Sequence, residues 1–200
     1  MIPERPQETW LVRHGATDWA QSGRHTGRTD VPLNDEGRQQ ARALARRLAG
    51  RHFDLVLTSP LSRALETCRI AGYGDVAEVE ADLREWDYGE YEGRTTVEIR
   101  ERDPGWTIWE GRVPGGETLE EVGARALRVV GRVLAVRGDV ALFAHGHILR
   151  VLTACWLGLP FDGGRLLALD TATLSVLGYE REARVVHNWN EDAILLPVPL

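Results

Sequence analysis

Two short apolar runs, far apart in the sequence, each end in a histidine followed by glycine. Thr9 to Arg13 leads into His14-Gly15, and Asp139 to Ala144 leads into His145-Gly146. Each run has the length and apolarity of a buried strand. In an open α/β sheet the carboxyl ends of parallel strands meet at one edge, where side chains point into the ligand crevice. The pattern therefore predicts that His14 and His145 lie close together.

Predicted strands and helices alternate along the rest of the chain. A further buried strand spans Asp54 to Thr58, and strands at 165–169, 173–179 and 184–189 complete the sheet. Helices are predicted to begin at the N-cap Asn34, at Ser59-Pro60, and at the capping box that starts at Thr118. This alternation indicates an α/β fold, with three layers (α/β/α) and a largely parallel central sheet.

The length of 200 residues suits a single domain, 1–200. Residues 15–33 are predicted to form a long loop, which in a compact domain is usually functional. Residues 72–116 are mostly irregular, with a short strand at 76–79 and a short helix near 95–102. Because this segment carries three tryptophans among prolines and glycines, we predict a lid-like insertion over the sheet edge.

Composition excludes several classes of function. The net charge of -6 argues against a nucleic-acid partner, and all 24 basic residues are arginine. Without lysine there is no Schiff base and no Walker-A nucleotide site. No stretch approaches the length of a membrane span, and residues 1–6 lack the apolar core of a signal peptide. Cys68 and Cys155 lie in apolar helical patterns, which predicts buried free thiols in the cytoplasm.

A histidine beside a fixed cation suits phosphoryl chemistry. Neutral His14 can attack phosphorus while the guanidinium of Arg13 holds the phosphate oxygens. Arg63 lies near the first turn of the helix after Ser59-Pro60, where it can join the positive end of the helix dipole in holding an anion. The His145-x-His147 spacing is poor evidence for a metal site, so no metal is predicted.

Glu85 lies in an acidic, aromatic loop, residues 83–93. Burial of Trp86, Tyr88 and Tyr91 would remove water from the neighbouring carboxyl group. A carboxyl group in such surroundings suits a general acid. We therefore expect Glu85 to act in catalysis, with activity that peaks below neutral pH and needs no divalent ion.

Several segments, in the expected order from about residue 9 to about residue 180, closely resemble the motifs of the histidine phosphatase superfamily. This superfamily includes cofactor-dependent phosphoglycerate mutases, bisphosphatases and acid phosphatases. The matching segments are Arg13-His14-Gly15-Ala16-Thr17-Asp18-Trp19, Gly23-Arg24-His25-Thr26-Gly27-Arg28-Thr29-Asp30, Ser59-Pro60-Leu61-Ser62-Arg63-Ala64, the Glu85 loop, Gly115-Gly116-Glu117-Thr118 and His145-Gly146.

The resemblance implies a role for each matching residue. His14 would be the nucleophile that becomes phosphohistidine, and Glu85 the proton donor and later the base. The groups around the phosphate would be Arg13, Arg63 and His145, and those that border the substrate would be Thr26 and Gly27. No cofactor is implied. The expected ligands are a small phosphorylated substrate and inorganic phosphate.

Two departures from the family pattern bear on the reaction. Ala20 stands where many members carry asparagine, so one phosphate contact is missing or replaced. Glu110-Gly111 stands where mutases carry an arginine pair for a second phosphate. The exchange disfavours a bisphosphorylated cofactor and favours a phosphatase over a mutase. The segments Glu85-Trp86-Asp87-Tyr88-Gly89 and His145-Gly146-His147 most resemble the acid-phosphatase branch. A mutase and a non-catalytic phosphate-binding module are the alternatives, and a homodimer is left open.

Overall fold

A six-stranded sheet forms the centre of the computed structural model, which describes residues 6–193. The strands are β1 (Thr9–Arg13), β2 (Leu55–Thr58), β3 (Ala77–Val79), β4 (Val140–Ala144), β5 (Thr173–Glu180) and β6 (Ala183–Asp192). They lie in the order β3-β2-β4-β1-β5-β6. The first four pair in parallel, whereas β5 and β6 are antiparallel additions at one side. The predicted largely parallel α/β sheet is confirmed.

Helices cover both faces of this sheet. They are α1 (Asp18–Gln21), α2 (Asp35–Leu48), α3 (Ser62–Ile70), α4 (Thr96–Arg100), α5 (Leu119–Leu134) and α6 (Gly146–Leu157), with 3-10 turns at Ala81–Leu83, Gly89–Tyr91 and Phe161–Leu166. Strand β4 shows why both faces are covered. Leu142 packs with α5 and α6 on one face, and Phe143 packs with α2 and α3 on the other. A strand buried on both faces reads as a continuous apolar run, as β4 does.

Two helix starts agree with the predicted caps, and one does not. The Asn34 side chain accepts from the Gly37 amide at 2.9 Å, and Thr118 forms a reciprocal capping box with Glu121. Helix α3, however, begins at Ser62 instead of at Ser59-Pro60. The Ser59 hydroxyl accepts from the Leu61 amide at 3.3 Å, before the helix begins, and lies 2.7 Å from Nε2 of His145.

The predicted strand at 165–169 is wrong. A 3-10 helix covers Phe161–Leu166, and no strand follows before β5. Gly163 and Gly164 are buried, and a Cβ on Gly164 would lie 3.0 Å from the backbone of Arg150 and from the Trp109 ring. This close approach to α6 holds the chain in a turn. The predicted 15–33 loop likewise contains the short helix α1.

The segment 72–116 contributes to the core as well as to the surface. Its first part supplies edge strand β3, and its aromatic side chains Trp86, Tyr88 and Trp106 are almost fully buried with α5 and α6. A role as a lid stays a prediction. Within residues 6–193, no helix combines the length and apolarity needed to cross a bilayer. The predicted absence of a signal peptide concerns residues 1–6, of which 1–5 lie outside the described residues.

Candidate active site

The two strand-end histidines meet at the carboxyl edge of the sheet. Strands β1 and β4 pair in parallel with Arg13 opposite Ala144, and the His14 amide donates to the Ala144 carbonyl at 3.0 Å. The ring centroids of His14 and His145 are 5.0 Å apart. The juxtaposition predicted from the two apolar runs is confirmed.

The surroundings of His14 leave one ring nitrogen available for attack. Nδ1 lies 2.7 Å from the Gly15 carbonyl oxygen, which can only accept, so we assign the proton to Nδ1 and the lone pair to Nε2. Burial, and then the positive charges of Arg63 and Arg13, lower the pKa of His14 well below its usual value. The imidazole is therefore neutral, as a nucleophile requires.

Close packing fixes the backbone that carries this nucleophile. A Cβ on Gly15 would lie 2.4 Å from the Gly37 carbonyl oxygen, and one on Gly37 would lie 2.1 Å from the Ala16 carbonyl oxygen. The first turn of α2 thus touches the backbone directly after His14. Only glycine permits so close an approach of two backbones.

Arg13 supplies a cation with free donors. Its guanidinium is buried and donates to the Leu169 carbonyl, but its Nε has no hydrogen-bond partner within residues 6–193. Burial lowers the pKa of Arg13, and the negative charge of Glu85 opposes that shift. A buried guanidinium with unused N–H groups is suited to bind the oxygens of a phosphoryl group.

Arg63 lies behind the two histidines, and its donors are largely occupied. Its Nε donates to Nδ1 of His145 at 3.2 Å. Its terminal nitrogens donate to the backbone carbonyls of Thr29 at 3.1 Å and of Thr26 and Gly27 at 3.0 Å each. The side chain is fully buried. Arg63 thus joins the loop after α1 to the histidine pair, and its direct contact with phosphate stays a prediction.

His145 is held between two side chains. Nδ1 accepts from Arg63, so the ring proton lies on Nε2, which donates to the Ser59 hydroxyl. Burial and the charge of Arg63 lower the pKa of His145 well below its usual value. Because both ring nitrogens are engaged, binding of phosphate by His145 also stays a prediction.

Glu85 is fixed by the beginning of helix α6. One carboxylate oxygen accepts from the amides of Trp86 and Ile148 at 3.0 Å each, and the other accepts from the amide of His147 at 2.9 Å. The residue is 7% exposed. These hydrogen bonds hold the carboxyl group at the wall of the cavity that His14 and Arg13 also line.

One cavity of about 190 Å³ brings together some of the predicted groups, whereas Arg63 and His145 do not line it. Arg13, His14, Glu85 and Thr26 line it, and Gly27 is buried beside it against the Trp86 carbonyl. Residues that the motif analysis did not assign to the site also line it: Arg24, His25, Tyr88, His147 and Arg150. Arg24, His25 and Tyr88 lie in segments that match the family motifs, but no role was assigned to them, and Arg150 lies outside those segments.

Three arginines, Arg13, Arg24 and Arg150, make the wall of this cavity positively charged, and Glu85 is the acidic residue among the residues that line it. Burial lowers the pKa of Arg150, and Glu85 opposes that shift. The guanidinium lies 4.6 Å from the centre of the Trp109 ring. Ala20 also lines the cavity, so the departure from the family pattern falls at the site. Such a wall can bind an oxyanion beside a neutral histidine and a carboxyl group, which is the equipment for phosphoryl transfer.

Comparison with known proteins agrees with this chemistry. The model of the histidine phosphatase superfamily (branch 1) matches residues 9–192. An acid phosphatase of Mycobacterium tuberculosis is 41% identical over 87% of this chain and 87% of its own length. A sedoheptulose 1,7-bisphosphatase of Saccharomyces cerevisiae is 34% identical over 79% of this chain and 70% of its own length. A protein of Cronobacter sakazakii that is named as a phosphoglycerate mutase is 31% identical over 91% of this chain and 89% of its own length.

The fold is shared as well. A solved structure of an open reading frame of Mycobacterium tuberculosis superposes with a TM-score of 0.90 and 38% identity, over 94% of this chain and 100% of that one. Fold and site together define an enzyme of phosphoryl transfer. The chain belongs to the histidine phosphatase superfamily, whose branch 1 model covers nearly all of it.

The buried histidines predict how stability depends on pH. Burial lowers the pKa of His25 to about 4, and the pKa values of His14, His145 and His147 are also lowered. As pH falls below about 6.5, the unfolded chain takes up protons on these rings and the folded chain does not. The contribution of these histidines to the free energy of unfolding is therefore complete above about pH 6.5. It is lost as the pH falls further, by roughly 1 kcal/mol per pH unit for each such histidine.

Urea unfolding at pH 7, 6 and 5 measures this loss. The free energy of unfolding of the wild-type protein should fall from pH 7 to pH 5. For His25→Gln the same free energy should fall less steeply, because about one proton fewer is taken up on unfolding. Carboxylates contribute equally to both proteins, so the difference between the two slopes isolates the histidine. Identical slopes for the two proteins would contradict the prediction.

Proposed function

We propose that the protein hydrolyses small phosphorylated metabolites through a phosphohistidine formed on Nε2 of His14. One observation carries the proposal. A neutral imidazole with its lone pair on Nε2, a guanidinium with unpaired donors and a fixed carboxyl group line a single cavity. Each of the two half-reactions needs a nucleophile, a cation for the phosphoryl oxygens and a group that moves one proton.

The chemistry proceeds in two displacements. In the first, the Nε2 lone pair of His14 attacks phosphorus, the ester P–O bond breaks, and protonated Glu85 gives its proton to the departing alcohol oxygen. In the second, Glu85 takes a proton from water while the water oxygen attacks phosphorus. The N–P bond then breaks, and its electron pair returns to Nε2. Arg13 stabilises the charge on the equatorial oxygens in both steps.

The site favours hydrolysis over phosphate exchange between two substrate positions. Glu110-Gly111 replaces the arginine pair expected of a mutase, and neither residue lines the catalytic cavity. Gly111 packs against the Trp106 ring, where a Cβ would lie 2.2 Å from a ring carbon. A cation that could bind a second phosphate is therefore absent from that position. The intact His14 and Glu85 argue against a module that only binds phosphate.

The similarity to an acid phosphatase and to a bisphosphatase supports hydrolysis of a metabolite, and the small cavity suits a small ester. We also propose that the protein works in the cytoplasm, which the two buried, free cysteines support. We propose a small phosphorylated substrate and inorganic phosphate as its ligands, and no membrane or nucleic-acid partner.

A phosphate-release screen tests the function. We expect release of phosphate from sugar phosphates, phosphoglycerates or nucleotides in the presence of a chelator. With a bisphosphate primer present, interconversion of 2- and 3-phosphoglycerate should be at least about tenfold slower than hydrolysis of the best ester. Faster interconversion than hydrolysis would establish a mutase, and loss of activity in chelator with rescue by metal would refute the metal-free mechanism.

A further inference from the structure

His147 stands between the catalytic cavity and a second cavity. The second cavity, here called the outer cavity, has a volume of about 310 Å³ and is bordered by Trp106, Thr107 and Trp109 among others. His147 and His25 border both cavities. An alcohol esterified to a phosphate at His14 therefore extends past these two imidazoles when it enters the outer cavity.

The hydrogen bonds of His147 define which ring nitrogen carries a proton. The Tyr88 hydroxyl lies 2.6 Å from Nδ1 of His147. Burial raises the pKa of Tyr88 well above its usual value and lowers that of His147 well below it, so both groups are neutral. No other acceptor takes the phenol proton within the described part of the chain. Tyr88 therefore donates to Nδ1, which places the imidazole proton on Nε2.

This Nε2–H group is available to a ligand. It has no hydrogen-bond partner in the part of the chain that the structure describes, and the His147 side chain is 19% exposed to solvent. The ring cannot turn freely. It packs edge-on against Trp86, with 6.3 Å between ring centroids, and in a tilted contact against Trp109, with 5.4 Å between centroids. The donor is thus presented in a fixed direction at the junction of the two cavities.

The side chain acts separately from the backbone of the same residue. The His147 amide holds Glu85, and that bond does not depend on the imidazole. A side-chain substitution can therefore change recognition of the alcohol without removing the hydrogen bond that positions the proton donor.

We propose that His147 is a specificity-determining residue, whose Nε2–H donates a hydrogen bond to an acceptor oxygen of the leaving alcohol. The inference rests on the proposed phosphatase function and adds the class of ester that the site prefers. The preferred substrates carry a hydroxyl oxygen close to the ester, as polyol and sugar phosphates do, whereas plain alkyl phosphates leave the donor unpaired. An unpaired donor in a desolvated site lowers the rate for the alkyl ester.

Two matched substrates test this preference. Glycerol 1-phosphate and n-propyl phosphate share the three-carbon chain and the primary ester, and only the first carries hydroxyl groups. We expect wild-type protein to favour the glycerol ester by about tenfold in kcat/KM, the value of one hydrogen bond. His147→Leu should reduce that ratio to about one. His147→Gln, which keeps an N–H donor, should retain most of it.

Two further variants separate recognition from folding. Tyr88→Phe keeps the aromatic ring but removes the hydroxyl group that fixes the tautomer of His147. This variant should reduce the ratio of the two kcat/KM values by about threefold. His52→Leu, on an exposed loop outside both cavities, should keep the wild-type ratio. Because each ratio is taken within one protein, partial unfolding cancels. Thermal unfolding of every variant confirms that it is folded.

The failures of the two proposals are distinguishable. A wild-type ratio near one, or a ratio unchanged in His147→Leu, would overturn the role of His147 and leave the phosphatase function standing. Absence of hydrolysis of both esters and of p-nitrophenyl phosphate by wild-type protein would overturn both.

Discussion

Replacing His14 with alanine is expected to abolish phosphate release, with kcat/KM for p-nitrophenyl phosphate lowered by at least about 10⁴-fold. The reason is the loss of the nucleophile, because the variant lacks Nε2, whose lone pair the hydrogen bond from Nδ1 to the Gly15 carbonyl leaves free. Arg13 remains in the variant, and its guanidinium group can still bind phosphate. Phosphate affinity should therefore change far less than turnover.

The intermediate itself provides the sharper measurement. A quenched reaction of wild-type protein with labelled substrate should retain label that is stable in base and released in acid, as expected for phosphohistidine. His14→Ala should retain none. His187→Ala, an exposed histidine on β6, is the matched control and should label like wild type. Label recovered on serine, aspartate or cysteine in the wild-type protein would refute the assignment.

The histidine pair could be predicted from the sequence because its position follows from local patterns. Two apolar runs with the periodicity of buried strands each ended at a histidine, and parallel strands place such ends at one edge. The prediction needed no knowledge of the sheet order. It required only that β1 and β4 be neighbours or nearly so, and they are adjacent.

Contacts between distant segments could not be predicted in this way. The sequence predicted that Arg63 lies near the first turn of α3, where it can hold an anion. The structure buries this side chain completely, and His145 and the carbonyls after α1 accept its hydrogen bonds. The predicted strand at 165–169 failed for the same kind of reason. Its apolar residues fit a strand locally, but contact of Gly164 with α6 imposes a turn.

The junction around His147 shows the limit most clearly. Tyr88, His25 and His147 come from three separate segments, and their rings meet only after the 72–116 segment packs on α6. Each residue alone is typical of a surface loop or a helix. The tautomer of His147, and hence its inferred role, depends on a single contact between residues 59 positions apart.

Replacing Glu85 with glutamine should slow hydrolysis by an amount that depends on the leaving group. Without an acid, the alkoxide of a glycerol ester must leave unprotonated, so we expect kcat/KM for glycerol 1-phosphate to fall by roughly 10²–10⁴-fold. Nitrophenolate leaves without a proton, so the rate of the first displacement with p-nitrophenyl phosphate should fall much less. Burst-phase kinetics with the nitrophenyl ester would separate that step from the slowed release of phosphate from His14.

The geometry of the carboxylate determines how this experiment must be controlled. Both oxygens accept from backbone amides, so glutamine places an NH₂ group against the amide of His147 or against those of Trp86 and Ile148. The lost hydrogen bond should cost about 1–3 kcal/mol in the free energy of unfolding, which urea titration measures. Glu90→Gln, an exposed site in the same loop, should change neither activity nor stability. An equal loss for both esters would mean that Glu85 supports the start of α6 and does not donate the proton, because a structural defect does not distinguish between leaving groups.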